Sequence, residues 1–101
     1  MLQNPNQVKP NQSLSDMIDR VRQQLVIEER IASLLDDGYM IVHRVPIFKN
    51  EIIRLIHNNG NKIILSVFYE DNKFIQRKND RIVENRPIIW INQRVVLISI
   101  G

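Results

Sequence analysis

The sequence predicts an α+β fold, in which a long N-terminal helix precedes a five- to six-stranded antiparallel meander sheet or small β-barrel. Between Leu14 and Asp37, apolar residues recur at spacings of three and four, the period of one helix face. From Tyr39 onward, short β-type runs alternate with turns rich in Asn, Asp and Gly, a pattern typical of antiparallel strands. A chain of 101 residues fits one such domain, predicted over residues 13–101.

The predicted helix spans residues 14–37. Ser13 and Asp16 form a capping-box pattern at its start, and Gly38 suits a left-handed C-cap after its end. The helix would be about 36 Å long at 1.5 Å per residue, longer than a small domain is wide. Its apolar stripe could pack on its own sheet or on the helix of a second subunit, and the length favours the second partner. The predicted oligomer-interface residues are Leu14, Ile18, Val21, Leu25 and Leu35, with Met17, Ile31 and Leu34 widening the stripe.

The β-rich part is predicted over residues 39–100. Its predicted strands cover residues 39–45, 51–57, 62–69 and 74–77, a marginal strand at 82–83, and a C-terminal pair within 86–100. Residues 58–61 (Asn-Asn-Gly-Asn) form the clearest turn and predict a hairpin between the second and third strands. Several strands are apolar on both faces, whereas a sheet with one buried face would alternate. We therefore expect the helix and a second subunit to cover the two faces, with the C-terminal pair at the centre of the fold.

Residues 1–12 are polar, contain Pro5 and Pro10 and show no periodicity, so we predict a flexible arm. The absence of cysteine excludes disulfides, thiolate metal sites and thiol catalysis. The sequence shows neither a secretory signal pattern nor an apolar run that could span a membrane. We expect a cytoplasmic protein with no membrane partner. Abundant Ile and Asn suggest AT-rich codons and, with the small size, a phage or viral origin, with the host cytoplasm or the virion as the location.

Charge is distributed unevenly along the chain. Residues 1–37 carry four basic and six acidic side chains, a net −2, whereas residues 38–101 carry ten and five, a net +5. A basic face attracts phosphate backbones or acidic protein surfaces, and exposed aromatic rings can stack on bases. The alternative is a solvated basic rim with the aromatic rings in the core. The candidate residues for binding single-stranded nucleic acid are Tyr69, Lys73, Phe74, Arg77, Lys78, Arg81, Asn92, Gln93 and Arg94.

Three local sequences follow one another in meander order: IRLI at 53–56 with Asn-Gly at 59–60, VFYEDNKFI at 67–75, and IWINQRVV at 89–96. Over residues 50–100 they resemble strands and turns of Sm-like proteins, the Hfq and LSm group. The sequence departs from that family because the glycine usual in the second strand is absent and the helix is longer. The resemblance implies a ring oligomer closed by strand pairing. It also implies base stacking near Tyr69 and Phe74, beside Asn92 and Gln93.

The residues form no catalytic constellation. His43 and His57 have no carboxylate or second histidine at ligand spacing, which fits histidines at strand edges better than a metal site. Adjacent acidic residues on a helix point about 100° apart and do not converge, and the known phosphate-loop patterns are missing. We expect no enzyme activity, no cofactor and no metal. The sequence thus predicts a small non-enzymatic homo-oligomeric assembly or interaction protein, with a small-barrel RNA-binding protein as the alternative.

Overall fold

A computed structural model of the protein describes residues 4–46 and 49–91. One helix, α1 (Asn4–Asp36), opens the chain. The strands β1 (Tyr39–Pro46), β2 (Asn50–His57), β3 (Lys62–Phe68), β4 (Lys73–Lys78) and β5 (Arg81–Pro87) follow, and then a short 3₁₀ helix (Ile88–Trp90). Each strand pairs antiparallel with the next in the order β1-β2-β3-β4-β5. The predicted α+β class is confirmed, and these five strands form an open meander sheet with β1 and β5 at its edges.

Helix α1 begins earlier than the sequence predicts. Ser13 and Asp16 are helical residues within it, whereas an N-cap residue has a non-helical backbone. The predicted start at residue 14 is therefore wrong, and residues 4–12 of the predicted arm belong to the helix. The predicted end is confirmed, because Gly38 has a φ of +101° and its N–H donates to the Leu35 carbonyl at 3.0 Å.

The predicted turns are confirmed by their backbone angles. In the β2–β3 turn, Gly60 has a φ of +97°. In the β4–β5 turn, Asn79 and Asp80 have φ values of +51° and +70°, as in the two-residue type I′ hairpin turn. Asn79 Oδ1 also accepts the backbone N–H of Lys62 at 2.9 Å, which joins the two turns at one end of the sheet. The strand predicted as marginal at residues 82–83 extends to all seven residues of β5.

Helix α1 covers one face of the sheet. In β2 the core residues alternate with less buried ones, because successive side chains in a strand point to opposite faces. Each fully buried aliphatic side chain contributes roughly 1.5–3 kcal/mol, so burial between helix and sheet contributes substantially to stability. The buried apolar residues are Val26, Ile27, Ile31 and Leu34 of α1, with Tyr39, Ile53, Leu55, Ile63, Leu65, Val67, Tyr69, Phe74, Ile88 and Ile91.

The C-terminal run differs from the prediction in its first half, where residues 88–90 form a 3₁₀ helix and not a strand. Pro87 ends β5, since proline has no N–H to continue a sheet ladder. The Ile88 N–H bonds instead to the Asn72 carbonyl at 3.0 Å. Ile88 and Ile91 are buried, so this segment does contribute to the core. The predicted last strand lies outside the described residues.

Candidate interaction surfaces

Arg30 joins α1 to the far half of the sheet. Its guanidinium donates to Gln76 Oε1 and Glu84 Oε1, both at 2.7 Å, and to the Ile91 carbonyl at 2.8 Å. The same group lies 5.3 Å from the centroid of the Phe74 ring. A largely buried charge needs such partners, because burial without them is costly. Arg30 is therefore fully engaged in holding the fold together.

Glu51 makes the corresponding connection on the β1 side. Its carboxylate is buried and accepts from the Tyr69 hydroxyl at 2.8 Å and from Arg44 Nε at 2.5 Å. Arg44 also pairs with Glu28 of α1. Burial, followed by the hydrogen bond to Glu51, raises the pKa of Tyr69 well above its ordinary value. Hydrogen bonds to Glu28 and Glu51 raise the pKa of Arg44 above its already high ordinary value. Tyr69 and Arg44 therefore both keep their protons.

A groove of about 600 Å³ lies between α1 and the β3–β4 turn. At its base the Arg20 guanidinium carbon sits 3.8 Å from the Tyr69 ring centroid, and Gln23 Nε2 donates to the Tyr69 carbonyl at 2.9 Å. Its walls carry both signs of charge, so they favour no ligand of a single charge. The lining residues are Asp16, Asp19, Arg20, Arg22, Gln23, Tyr69, Glu70, Asn72 and Ile89. Nowhere in the described parts of the chain do three metal-ligating side chains cluster, and none of the described helices is long and apolar enough to cross a bilayer.

The predicted interface stripe lies on the outer side of α1, away from the sheet. At about 100° per residue its positions fall within about 60° of one line along the helix, while Gln23, Ile27 and Leu34 lie about 180° away against the sheet. Helix α1 therefore has two opposite apolar faces, one buried and one in solvent. We call the exposed set the helix stripe; its members are Leu14, Met17, Ile18, Val21, Leu25 and Leu35, all 44–64% exposed.

The sheet-facing side of α1 was missed by the sequence analysis. Ile31 and Leu34, predicted to widen the stripe, are instead buried against the sheet, and that assignment is wrong. A second series at helical spacing (Gln23, Ile27, Arg30 and Leu34) forms this face. Two of its members are polar, so the series does not stand out as an apolar stripe in the sequence. Both polar members bond to the sheet side of the molecule, which is how a core-facing helix position tolerates them.

The sheet face opposite α1, here called the outer sheet face, alternates with the core face. Its half-buried apolar members are Ile52, Ile56, Ile64, Phe68 and Ile75, whereas Met40 and Ile82 on the two edge strands are exposed. Its charged members are all cations: Arg54, Lys62, Lys73 and Arg77. The strands are thus apolar on both faces, as predicted, and α1 covers only one of them.

The structure changes the aromatic part of the predicted nucleic-acid site. Tyr69 is 6% exposed and Phe74 is 0% exposed, both in the core, so neither ring can stack on a base. This part of the prediction is wrong, because both rings follow the core-facing register of β3 and β4. Phe68, one residue earlier, lies on the outer sheet face and was missed. Because successive residues in a strand face opposite sides, a core-facing Val67 would have placed Phe68 on the outer face.

The basic candidates are divided between the two faces. Lys73 and Arg77 lie on the outer sheet face, with Lys73 paired across the strands with Phe68. Lys78 and Arg81 pair with each other at the end of the sheet, in the register of the core face. The other candidates, Asn92, Gln93 and Arg94, lie outside the described residues.

Comparison with protein-family models, with curated proteins and with solved structures finds no match for this chain. The resemblance to Sm-like proteins stays a prediction. The information about function therefore comes from the helix stripe and the outer sheet face.

Proposed function

We propose that this protein is a non-enzymatic assembly protein that forms homo-oligomers through the helix stripe. The proposal rests on one observation: six large apolar side chains are exposed on a single helix face, opposite the face that packs in the core. A contiguous apolar surface of this kind on a soluble protein marks an interaction site. Association would remove the stripe from water in each subunit, and the hydrophobic effect supplies the driving force.

The spacing of the stripe indicates that its partner is another helix. Apart from Met17, its positions from Leu14 to Leu35 step alternately by four and three residues, with Glu28 and Ala32 occupying the two remaining steps. This 3.5-residue period keeps an apolar seam facing a second helix along its whole length. Helix α1 itself carries such a seam, so a second copy of the chain supplies the complementary surface.

Glu28 favours an antiparallel pair. In a parallel pair in register, the Glu28 side chains of both copies would come together within the seam, each with only Arg44 of its own chain as a counter-charge among the described residues, and like charges at close range repel. An antiparallel pair separates them. Arg22 and Glu29 flank the seam seven residues apart. In the antiparallel pair, Arg22 of each copy would lie opposite Glu29 of the other, which gives two such pairs about the two-fold axis. The proposed unit is therefore an antiparallel dimer of α1 helices.

Light scattering on Leu25→Asp tests the interface. The wild type is expected at twice the 12.0 kDa chain mass or more, and the variant at one chain mass, because a carboxylate would be buried without a partner. The matched control is Ser33→Asp, which adds the same charge at an exposed position about 80° around the helix from Leu25. The control should keep the wild-type mass.

A wild-type protein that scatters as one chain at micromolar concentration would overturn the proposal. The absence of natural cysteine allows a direct test of orientation by cross-linking. Arg22→Cys and Glu29→Cys chains should form a disulfide with each other when mixed and oxidised. Self-linking of Ile18→Cys would instead show a parallel pair.

A further inference from the structure

The strand register sets the outward side chains of the sheet in rows. One row runs His43, Arg54, Ile64, Arg77 and Ile82 across all five strands. Since neighbouring strands lie about 4.8 Å apart, the backbones that carry the two arginines are roughly 10 Å apart, with one isoleucine between them. From Arg54 onward the row thus alternates cationic and apolar positions.

Within the part of the chain that the structure describes, the cations of the outer sheet face have no acidic partner. No Asp or Glu occupies an outward position in any of the five strands. Within the described residues, Arg54, Lys62, Lys73 and Arg77 form no ion pair, whereas Arg30, Arg44, Lys49 and Arg86 each contact a carboxylate. Four unpaired cations on one face create a positive potential that attracts an anionic partner.

The apolar side chains of the outer sheet face indicate which kind of anionic partner fits it. Phe68 lies beside Lys73 in the register, and Ile52, Ile64 and Ile75 provide half-buried apolar positions between the cations. A single-stranded nucleic acid presents both complements, phosphates for the cations and flat bases for the aromatic and apolar positions. A duplex hides its base faces within its stack, so a single strand complements this surface better than a duplex does.

We propose that the outer sheet face binds single-stranded nucleic acid, with Arg54 and Arg77 contacting phosphates and Phe68 stacking on a base. This activity is separate from assembly, because the helix stripe and the outer sheet face lie on opposite sides of the helix–sheet sandwich. Because the arginines would contact phosphates, the affinity for nucleic acid should fall as the salt concentration rises.

The test measures fluorescence anisotropy of labelled mixed-sequence RNA and single-stranded DNA across a salt series. Replacing both arginines (Arg54→Gln with Arg77→Gln) should lower the slope of log K against log[salt] by about 1.4, at roughly 0.7 per phosphate contact. The matched control is Lys78→Gln with Arg81→Gln, which removes the same charge from the opposite register and should keep the slope. Phe68→Leu should weaken binding about fivefold or more, the lower range for losing one base–aromatic stack.

Three outcomes would overturn the proposal. One is that the wild type binds neither the RNA nor the single-stranded DNA at low salt. Another is that the control pair lowers the salt slope as much as the Arg54 and Arg77 pair does. The third is equal binding of poly-glutamate, which would show attraction to any acidic chain, including an acidic protein. Circular dichroism and a urea midpoint close to wild type confirm that the variants fold. If the arginine pair does not fold, Arg54→Gln alone, at an exposed position, should lower the slope by about 0.7.

Discussion

At the scale of single residues, the buried carboxylate of Glu51 organises one side of the protein. It receives one hydrogen bond from Tyr69 and one from Arg44, and these two donors offset the cost of placing a charge inside the protein. Glu28 approaches the same arginine from α1 but is half exposed. Two carboxylates that share one arginine therefore differ in energetic weight because their exposure differs.

Arg44→Met should destabilise the protein by about 1.5–3 kcal/mol, the range for losing a hydrogen bond to a buried charged group. Glu28→Gln should cost about 1 kcal/mol or less, as for an exposed ion pair. Urea denaturation of the two variants beside the wild type measures both values. Equal losses would show that Glu51 does not depend on Arg44.

Stability should fall as the pH rises above about 10, the ordinary pKa of tyrosine. The raised pKa of Tyr69 means that the folded state keeps the phenol neutral, whereas the unfolded state ionises first and is favoured by up to about 1.4 kcal/mol per pH unit. Below about pH 10 this contribution is fully present. Urea midpoints near pH 8 and pH 11 should differ less in Tyr69→Phe than in the wild type. An unchanged difference would assign the alkaline loss to other groups.

At the scale of elements, the turn between α1 and β1 depends on a close approach. A Cβ at Gly38 would lie 2.6 Å from His57 Nε2. That nitrogen is also 3.0 Å from the Asp37 carbonyl, and the His57 ring packs edge-on against Tyr39 at 5.1 Å. His57 thus joins the end of β2 to the end of α1, which is a structural role.

Gly38→Ala and Gly60→Ala form a matched pair, because both positions have positive φ but only Gly38 has a neighbour within reach. Gly60→Ala should cost roughly 1–2 kcal/mol from the left-handed backbone alone. Gly38→Ala should cost about 0.5–1.5 kcal/mol more, because the His57 ring must move and lose its hydrogen bond. Thermal or urea unfolding measures the difference. Equal costs would mean that His57 moves aside freely.

At the scale of the whole molecule, the chain forms two layers with different outer surfaces. One is the helix stripe and the other is the cationic outer sheet face, and the core lies between them. Assembly through the helices would leave the two outer sheet faces on opposite sides of the dimer. Each subunit would then present its outer sheet face independently.

Association through the stripe should make stability depend on protein concentration. Each tenfold increase should add about 1.4 kcal/mol of apparent unfolding free energy per dimer, by mass action. Leu25→Asp should remove this dependence, and Ser33→Asp should retain it. Urea midpoints across a hundredfold concentration range provide the measurement. A wild-type midpoint that does not move with concentration would argue for a folded monomer.

The sequence by itself determined the features that depend on local chain chemistry. Gly38 and Gly60 mark turns because a positive φ costs glycine little. The strands around residues 58–61 and 78–81 follow from apolar runs and turn residues, so the meander order could be predicted. The end of α1 was predicted for the same reason. The start was not, since Ser13 is compatible with both a cap and a helix interior.

Only the tertiary structure decided which surface each side chain faces. The helix has two apolar series about 180° apart, and periodicity cannot tell which one the sheet will cover, because both satisfy the same 3.6-residue repeat. The sheet selects the series whose polar members, Gln23 and Arg30, find partners there. In the same way, strand register buries Tyr69 and Phe74 and leaves Phe68 outward, because a one-residue shift reverses the face of every side chain in a strand.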